Sequence, residues 1–247
     1  MRVHFVIHES YESPGAFSQW VERKGFQQTA TRLYCGETLP QDLNFDMLVV
    51  LGGPQSPDTP QAECAHFDAE AEKNLIVRSI SAGKAVIGVC LGAQLIGDAL
   101  GAKYSHSPEK EIGYFPIELT LEGRKDPLLK HFKNTELVGH WHNDMPGLLP
   151  SFKVLAESQG CPRQIVKFMD LVYGFQCHLE FTRASVSELI EFAFEPQHVG
   201  HKKWVQDKET ILNSDTKNMN ELLFTFLDNL VAHIHEKTIN PKPYQCR

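Results

Sequence analysis

Short unbroken apolar blocks punctuate the first hundred positions of the chain. Residues 2–8 (RVHFVIH), 46–51 (DMLVVL) and 85–90 (AVIGVC) have strand length, and the second ends at Gly52, Gly53 and Pro54. Continuous apolar runs of this kind suit strands buried on both faces of a parallel sheet, where no polar side is required. Helical patterns alternate with them. Phe17–Lys24 predicts a short helix stopped at Gly25, after a loop over Glu9–Gly15. Residues 66–81 place Phe67, Ala71, Leu75 and Ile76 on a common helical face ahead of Gly83, and 91–101 (LGAQLIGDALG) closes at Gly101. Strand–helix alternation implies crossover connections and a parallel sheet.

The middle of the chain changes character. Segments 111–120, 135–142, 152–158, 164–169 and 171–178 all read as closely spaced strands, some of them antiparallel or extending the first sheet. Helix returns over 183–194. Residues 202–236 contain a long amphipathic stretch, with Leu222, Leu223, Phe226, Leu227, Leu230, Val231 and Ile234 at helical spacing. The last residues, NPKPYQCR, read as a loose tail. The expected fold is α/β, a mostly parallel central sheet with helices on both faces, carried by residues 1–200. Residues 201–247 form a helical C-terminal extension whose apolar stripe packs on the same domain or docks a partner.

Composition narrows the classes of function. Hydrophobic residues make up 42% and charged residues 22%, enough for a sizeable core. The net charge of −7 argues against a nucleic-acid or anionic-membrane partner. No apolar run approaches the roughly 20 residues needed to span a bilayer, and the N-terminus lacks the pattern of a secretory signal, so a cytoplasmic protein is expected. The six cysteines are scattered and form no C-x-x-C pair, which suggests free thiols rather than a disulfide scaffold or a zinc site.

One cysteine has a distinctive setting. Gly88-Val89-Cys90-Leu91-Gly92 puts a thiol where a buried strand turns into a helix, with small residues on both sides. This is the G-x-nucleophile-x-G form of a nucleophile elbow. The helix N-terminus favours a thiolate and offers N–H groups to an oxyanion. A cysteine nucleophile needs a base and the base an orienter. His178 and Glu180 lie two residues apart, and on an extended strand such residues face the same side. His140-x-His142 could chelate a metal together with His178, but no other ligand spacing accompanies it.

These residues resemble the class I glutamine amidotransferases, which use Cys-His-Glu triads. LGGP (51–54) resembles the family's oxyanion loop, GVCLGAQ (88–94) its nucleophile motif, and GFQCHLE (174–180) its G-x-Q-F-H-P-E motif, with Cys177 in place of Phe and Leu179 in place of Pro. EIGYFPIELT (111–120), HWHNDMPGLLP (140–150) and GCPRQIV (160–166) look like stand-alone proteins related to the amidotransferase domain of GMP synthetase. The resemblance implies a flavodoxin-like fold, with Cys90 as nucleophile, His178 as base and Glu180 as triad carboxylate. It implies an oxyanion hole from the backbone N–H groups of Gly53 and Leu91. Gly52, Gln94, His140, Trp141 and His142 would hold the substrate, the last three through the backbone of their segment. The implied substrate is glutamine or a γ-glutamyl small molecule, with no metal or organic cofactor. Three readings follow: an amidotransferase serving an acceptor enzyme, a stand-alone γ-glutamyl hydrolase or peptidase, and a non-catalytic binding protein of the same fold. The expected partner is an acceptor enzyme or a second copy of the chain.

Overall fold

The computed structural model describes residues 1–239; the NPKPYQCR tail lies outside them. The strands are β1 (Arg2–Ile7), β2 (Gln27–Arg32), β3 (Met47–Val50), β4 (Ala85–Val89), β5 (Ser105–Leu119), β6 (Thr135–Met145), β7 (Lys153–Glu157), β8 (Ile165–Met169), β9 (Val172–Phe175) and β10 (Trp204–Val205). The α-helices are α1 (Ala16–Arg23), α2 (Ala69–Ser81), α3 (Leu91–Ala99), α4 (Leu121–Lys125), α5 (Arg183–Ala193), α6 (Lys208–Leu212) and α7 (Lys217–Ile239). Among the described residues the strands form one mixed sheet in the order β10-β5-β7-β8-β9-β4-β3-β1-β2, with β6 also paired to β5. The half from β9 to β2 is parallel, whereas the pairs β5–β6, β5–β7, β7–β8 and β8–β9 are antiparallel.

Period-two alternation in the buried strands sorts their side chains onto two faces. Val3, Phe5, Met47, Val49, Ile87 and Phe175 join the core beneath α1, α5 and α7. Val6, Leu48, Val50 and Val86 join the opposite core beneath α2 and α3. Helices therefore cover both faces of the α/β sheet.

The structure adds one strand that the sequence pattern does not show and changes the bounds of two segments. β2 has the sequence QQTATR and carries no apolar run; it is a mostly exposed edge strand, so periodicity could not show it. The 202–236 stretch is helical only in part, although its apolar positions from Leu222 to Ile234 do lie on one helix. It begins with β10, which adds parallel to β5, passes through α6, and becomes α7 only at Lys217. Gln206 explains the break. Its side chain accepts from Tyr114 N at 2.8 Å and donates to Tyr114 O at 3.0 Å, tying the segment to β5. Finally, β9 stops at Phe175 rather than running to His178. β4 ends at Val89, and Phe175 O accepts from Cys90 N at 2.7 Å. Beyond that the chain leaves β4 and makes an isolated antiparallel bridge from His178 to Gly139 of β6.

The stripe of α7 lies in the main core: Phe226, Leu227 and Leu230 are fully buried. The Phe226 ring packs edge-on against Tyr173 and Phe175 of β9, with centroids 5.2 and 5.0 Å away. Trp20 of α1 donates to Asp228 at 2.8 Å, closing the same layer. Phe226→Ala should destabilise the protein by about 3–5 kcal/mol through lost burial and a residual cavity. Urea denaturation checks this; an unchanged midpoint would show that α7 contributes little to the core.

Candidate active site

Cys90 sits between β4 and α3 with φ 50° and ψ −110°, and among the described residues it is the one non-glycine with positive φ. An L-residue there is strained and is held by its surroundings. The flanking glycines make the turn possible. A Cβ on Gly92 would lie 2.0 Å from Val50 O, and one on Gly88 would lie 2.4 Å from the Gly92 carbonyl. The thiol is almost buried, at 8% exposure. Gln176 Nε2 donates to Sγ at 3.3 Å, and the S–H points at Trp141 O, 3.8 Å away.

His178 and Glu180 face the same place from the segment after β9. His178 Nδ1 is 2.6 Å from Glu180 Oε1, and the imidazole stacks on Phe181 with centroids 4.1 Å apart. Nε2 is buried without a geometrically complete hydrogen bond, yet the Cys90 thiol is close enough to act on the ring. Burial opposes the charge of His178. The Glu180 carboxylate and then Cys90 more than offset it, so its pKa is pushed up to about 10. The result is a cationic imidazole beside a thiol, the arrangement that stabilises a thiolate. A side chain of α7 holds this segment from behind: Asn220 Nδ2 donates to Leu179 O at 2.7 Å and to Phe181 O at 3.0 Å. The backbone on both sides of Glu180 is thus fixed without a proline at 179.

The loop after β3 completes the floor. A Cβ on Gly52 would be 3.5 Å from Cys90 Cβ, and one on Gly53 would be 3.0 Å from Leu91 Cδ2. Leu91 opens α3, so its N–H is a first-turn donor with no helical acceptor. His8, fully buried, supports the loop from beneath: Nδ1 is 2.8 Å from Gly52 O and Nε2 is 2.9 Å from Glu72 Oε2. Burial lowers the basicity of His8, but the Glu72 carboxylate outweighs it and raises the pKa.

A cleft of about 450 Å³ opens above Cys90, lined among others by Glu12, Gly53, Gln94, Trp141 and His142, with Tyr11, Phe192 and Phe194 at its rim. Gln94 Nε2 donates to Gln176 Oε1 at 3.1 Å, leaving its own buried Oε1 without a partner. Of the expected substrate contacts, Gln94, Trp141 and His142 therefore line one cavity, together with the expected oxyanion donor Gly53, while Gly52 lies outside its lining. His140 does not line it either: its ring turns onto Phe115 O and Glu111. Burial pushes the His140 pKa down to about 3, so the ring is neutral. Glu111, buried as well, is kept ionised by His142 and Ser158. This network fixes the β6 segment that presents Trp141 O to the thiol.

Five residues of the site were not evident from the sequence: Glu12, Gln176, His8, Glu72 and Glu111. Gln176 carries a usable signal, since it is the Gln of GFQCHLE. The others lie in a loop or in separate elements, and no spacing links them. Glu12 is the most unusual. Its carboxyl lies against Gly52, and burial, then the nearby Glu180, raise its pKa to about 7, partly countered by His178 and His8.

A sequence profile described as "Glutamine amidotransferase class-I" matches residues 19–194. The chain is 52% identical over 236 residues to YfeJ, a glutamine amidotransferase-like protein of Salmonella typhimurium, covering 94% of this chain and 99% of that one. It is 32% identical over 147 residues to the glutamine-hydrolysing GMP synthase of Aliivibrio fischeri, but spans only 25% of that longer protein. The crystal structure of SMU.1228c matches with a TM-score of 0.92 at 47% identity, over 94% of this chain and all of that one. A glutamine amidotransferase of Thermotoga maritima shares the fold, with a TM-score of 0.81 at 22% identity over 94% of this chain and 98% of that one.

The raised pKa of Glu12 has a thermodynamic signature. A carboxyl that holds its proton more tightly when folded contributes stability below its unfolded value near 4.5, and that contribution is lost as pH rises towards 7. Glu12→Gln is neutral at every pH. Its melting temperature relative to the parent should therefore be higher at pH 8 than at pH 5. Thermal melts at both pH values check this, and a difference that does not move with pH would contradict the buried, protonated carboxyl.

Proposed function

Because the chain belongs to the class-I glutamine amidotransferase family, we propose that it hydrolyses the amide of glutamine or of a γ-glutamyl compound through a thioester on Cys90. The observation that carries the reading is the strained Cys90 at a helix N-terminus, beside an imidazole whose other nitrogen is 2.6 Å from a buried carboxylate. In this mechanism the Cys90 thiolate attacks the side-chain carbonyl carbon. The oxyanion is held by the Gly53 and Leu91 N–H groups, each such donor contributing about 3 kcal/mol. His178 protonates the leaving nitrogen, the C–N bond breaks, and a γ-glutamyl thioester remains. His178 then takes a proton from water, the hydroxide displaces the thiolate, and glutamate departs. Glu180 keeps His178 in the tautomer that presents Nε2 to the reacting atoms. The free Oε1 of Gln94 offers the substrate an acceptor.

A second observation favours a γ-glutamyl hydrolase over an ammonia donor. The cleft extends past Cys90 to an aromatic rim of Tyr11, Trp141, Phe192 and Phe194, room that a departing ammonia does not need. Tyr11 and Phe192 stack with centroids 5.3 Å apart, although Phe192 is 62% exposed. An apolar amine or peptide leaving group fits such a rim. The amidotransferase reading, in which ammonia passes to an acceptor enzyme, rests on the likeness to GMP synthases. One of these is a glutamine-hydrolysing GMP synthase subunit from Pyrococcus abyssi, 34% identical over 105 residues, of which the match covers 54%.

Purified protein should be screened on glutamine and a panel of γ-glutamyl amides and dipeptides, with glutamate and the released amine followed separately. Higher kcat/KM for an aromatic γ-glutamyl amide than for glutamine is expected. Ammonia release that requires a second protein would favour the amidotransferase reading instead. Cys90→Ala should abolish thioester formation, read by mass spectrometry. Glu180→Gln should lower kcat by about 10²–10⁴-fold with little change in KM.

A further inference from the structure

A second cysteine–histidine–carboxylate cluster lies apart from the catalytic pair. Glu9 follows β1, while Cys64 and His66 lie in the loop ahead of α2. His66 Nε2 is 3.0 Å from Glu9 Oε1 and 3.4 Å from Cys64 Sγ, and one ligand atom from each residue lies within 4.8 Å of the others. Zinc bonded at about 2.3 Å to sulfur and 2.0–2.2 Å to nitrogen or oxygen, at tetrahedral angles, sets neighbouring ligand atoms about 3.3–3.6 Å apart. The observed separations differ from that by only a few tenths of an ångström for the two His66 pairs.

Gln55 supplies an independent sign. Its Nε2 lies 2.7 Å from Glu9 Oε1 and 3.3 Å from Cys64 Sγ, so its amide caps two of the same three atoms. Its Oε1 is buried and has no hydrogen-bond partner. The two ends of a glutamine amide exchange by half a turn about the last side-chain bond. That rotation would aim the orphaned oxygen at the cluster as a fourth ligand. The cluster is also reachable from solution: the His66 side chain is 30% exposed and that of Glu9 is 17% exposed.

A different group of three, Glu111, His142 and Cys161, has similar spacing and lacks these features. It is fully buried. Burial pushes the Cys161 thiol up to about 11, which opposes the thiolate a metal needs, and Glu111 is already taken by Ser158 and Gln164. Access and free ligand atoms both favour the partly open cluster.

We propose that Glu9, Cys64 and His66 form a binding site for a borderline-soft divalent cation of the zinc class, with Gln55 Oε1 or water as the fourth ligand. Thiolate, imidazole and carboxylate together suit such a cation better than magnesium or calcium, which prefer oxygen alone. The site is invisible to a search for paired cysteines because its ligands come from two loops. Gln55 stands two residues beyond Gly53 and lines the same cleft as Cys90, so a bound cation restrains the loop that carries an expected oxyanion donor.

The test uses the full chain in a Cys90→Ser background, so that the reactive thiol cannot bind metal, titrated with cobalt(II) and then zinc(II). One equivalent of cobalt should bind with a thiolate-to-cobalt charge-transfer band in the near ultraviolet, and zinc should displace it. Adding Cys64→Ser should remove the band. Even changes outside the ligand set weaken metal sites by about 10–100-fold, so His66→Ala should weaken cobalt binding by at least roughly tenfold. Circular dichroism establishes that each variant is folded; if Cys64→Ser is not, Glu9→Gln and His66→Ala decide by the same band. Cobalt that binds without a thiolate band, or a band that survives the loss of Cys64, overturns the proposal.

Discussion

The left-handed backbone of Cys90 is the constraint around which the site is organised. Such a conformation costs about 1–3 kcal/mol and persists only where neighbours leave no alternative. Here the neighbours are backbone atoms: α3 is pressed so closely on β3 and β4 that Gly92 abuts Val50 O and Gly88 abuts Gly92. The parallel register makes this contact productive. Val50, Gly88 and Gly174 sit side by side on β3, β4 and β9, so the three strands end at one level. The glycine loop, the thiol and the segment carrying Gln176 and His178 therefore emerge together at the carboxyl edge of the sheet, where open α/β sheets bind ligands.

Much of this is legible in the chain because it follows from local rules. Unbroken apolar runs mark β1, β3 and β4, since strands buried on both faces have no polar side to show. Glycines two residues either side of Cys90 mark the elbow, since larger residues cannot fit there. Other features depend on what meets in space. β2 is polar because it is an edge strand that is mostly exposed. The stretch after residue 202 keeps helical spacing yet opens as a strand, because Gln206 satisfies β5 backbone groups that a helix would leave open. The alternation of His178 with Glu180 suggests a strand. The pairing that holds His178 comes instead from Gly139, nearly forty positions earlier, and no periodicity encodes that.

Buried histidine–carboxylate pairs recur around the cleft with different outcomes. In His178–Glu180 and His8–Glu72 a carboxylate within hydrogen-bond reach overrides burial and raises the pKa of the imidazole. His140 lies 3.6 Å from Glu111, which it shares with His142, and there burial prevails. A longer separation and competition for one carboxylate set the neutral ring of His140 apart from the other two. Glu12 shares the His178 and His8 cations with other carboxylates, and burial raises its pKa to about 7. Charge is therefore assigned within the site by partner geometry more than by residue type.

The clamp from Asn220 onto Leu179 and Phe181 links the site to the order in which the chain is made. The nucleophile, the glycine loop and the base are all translated before α7, yet the carbonyls that bracket Glu180 find their side-chain donor in that helix, which also covers the rings of Tyr173 and Phe175. A nascent chain emerging at about 5–20 residues per second holds its reactive cysteine for several seconds before the helix can dock. During that interval the base segment lacks the two hydrogen bonds that hold it from behind. The clamp thereby makes the setting of the base depend on the docking of a helix made more than a hundred positions after the nucleophile.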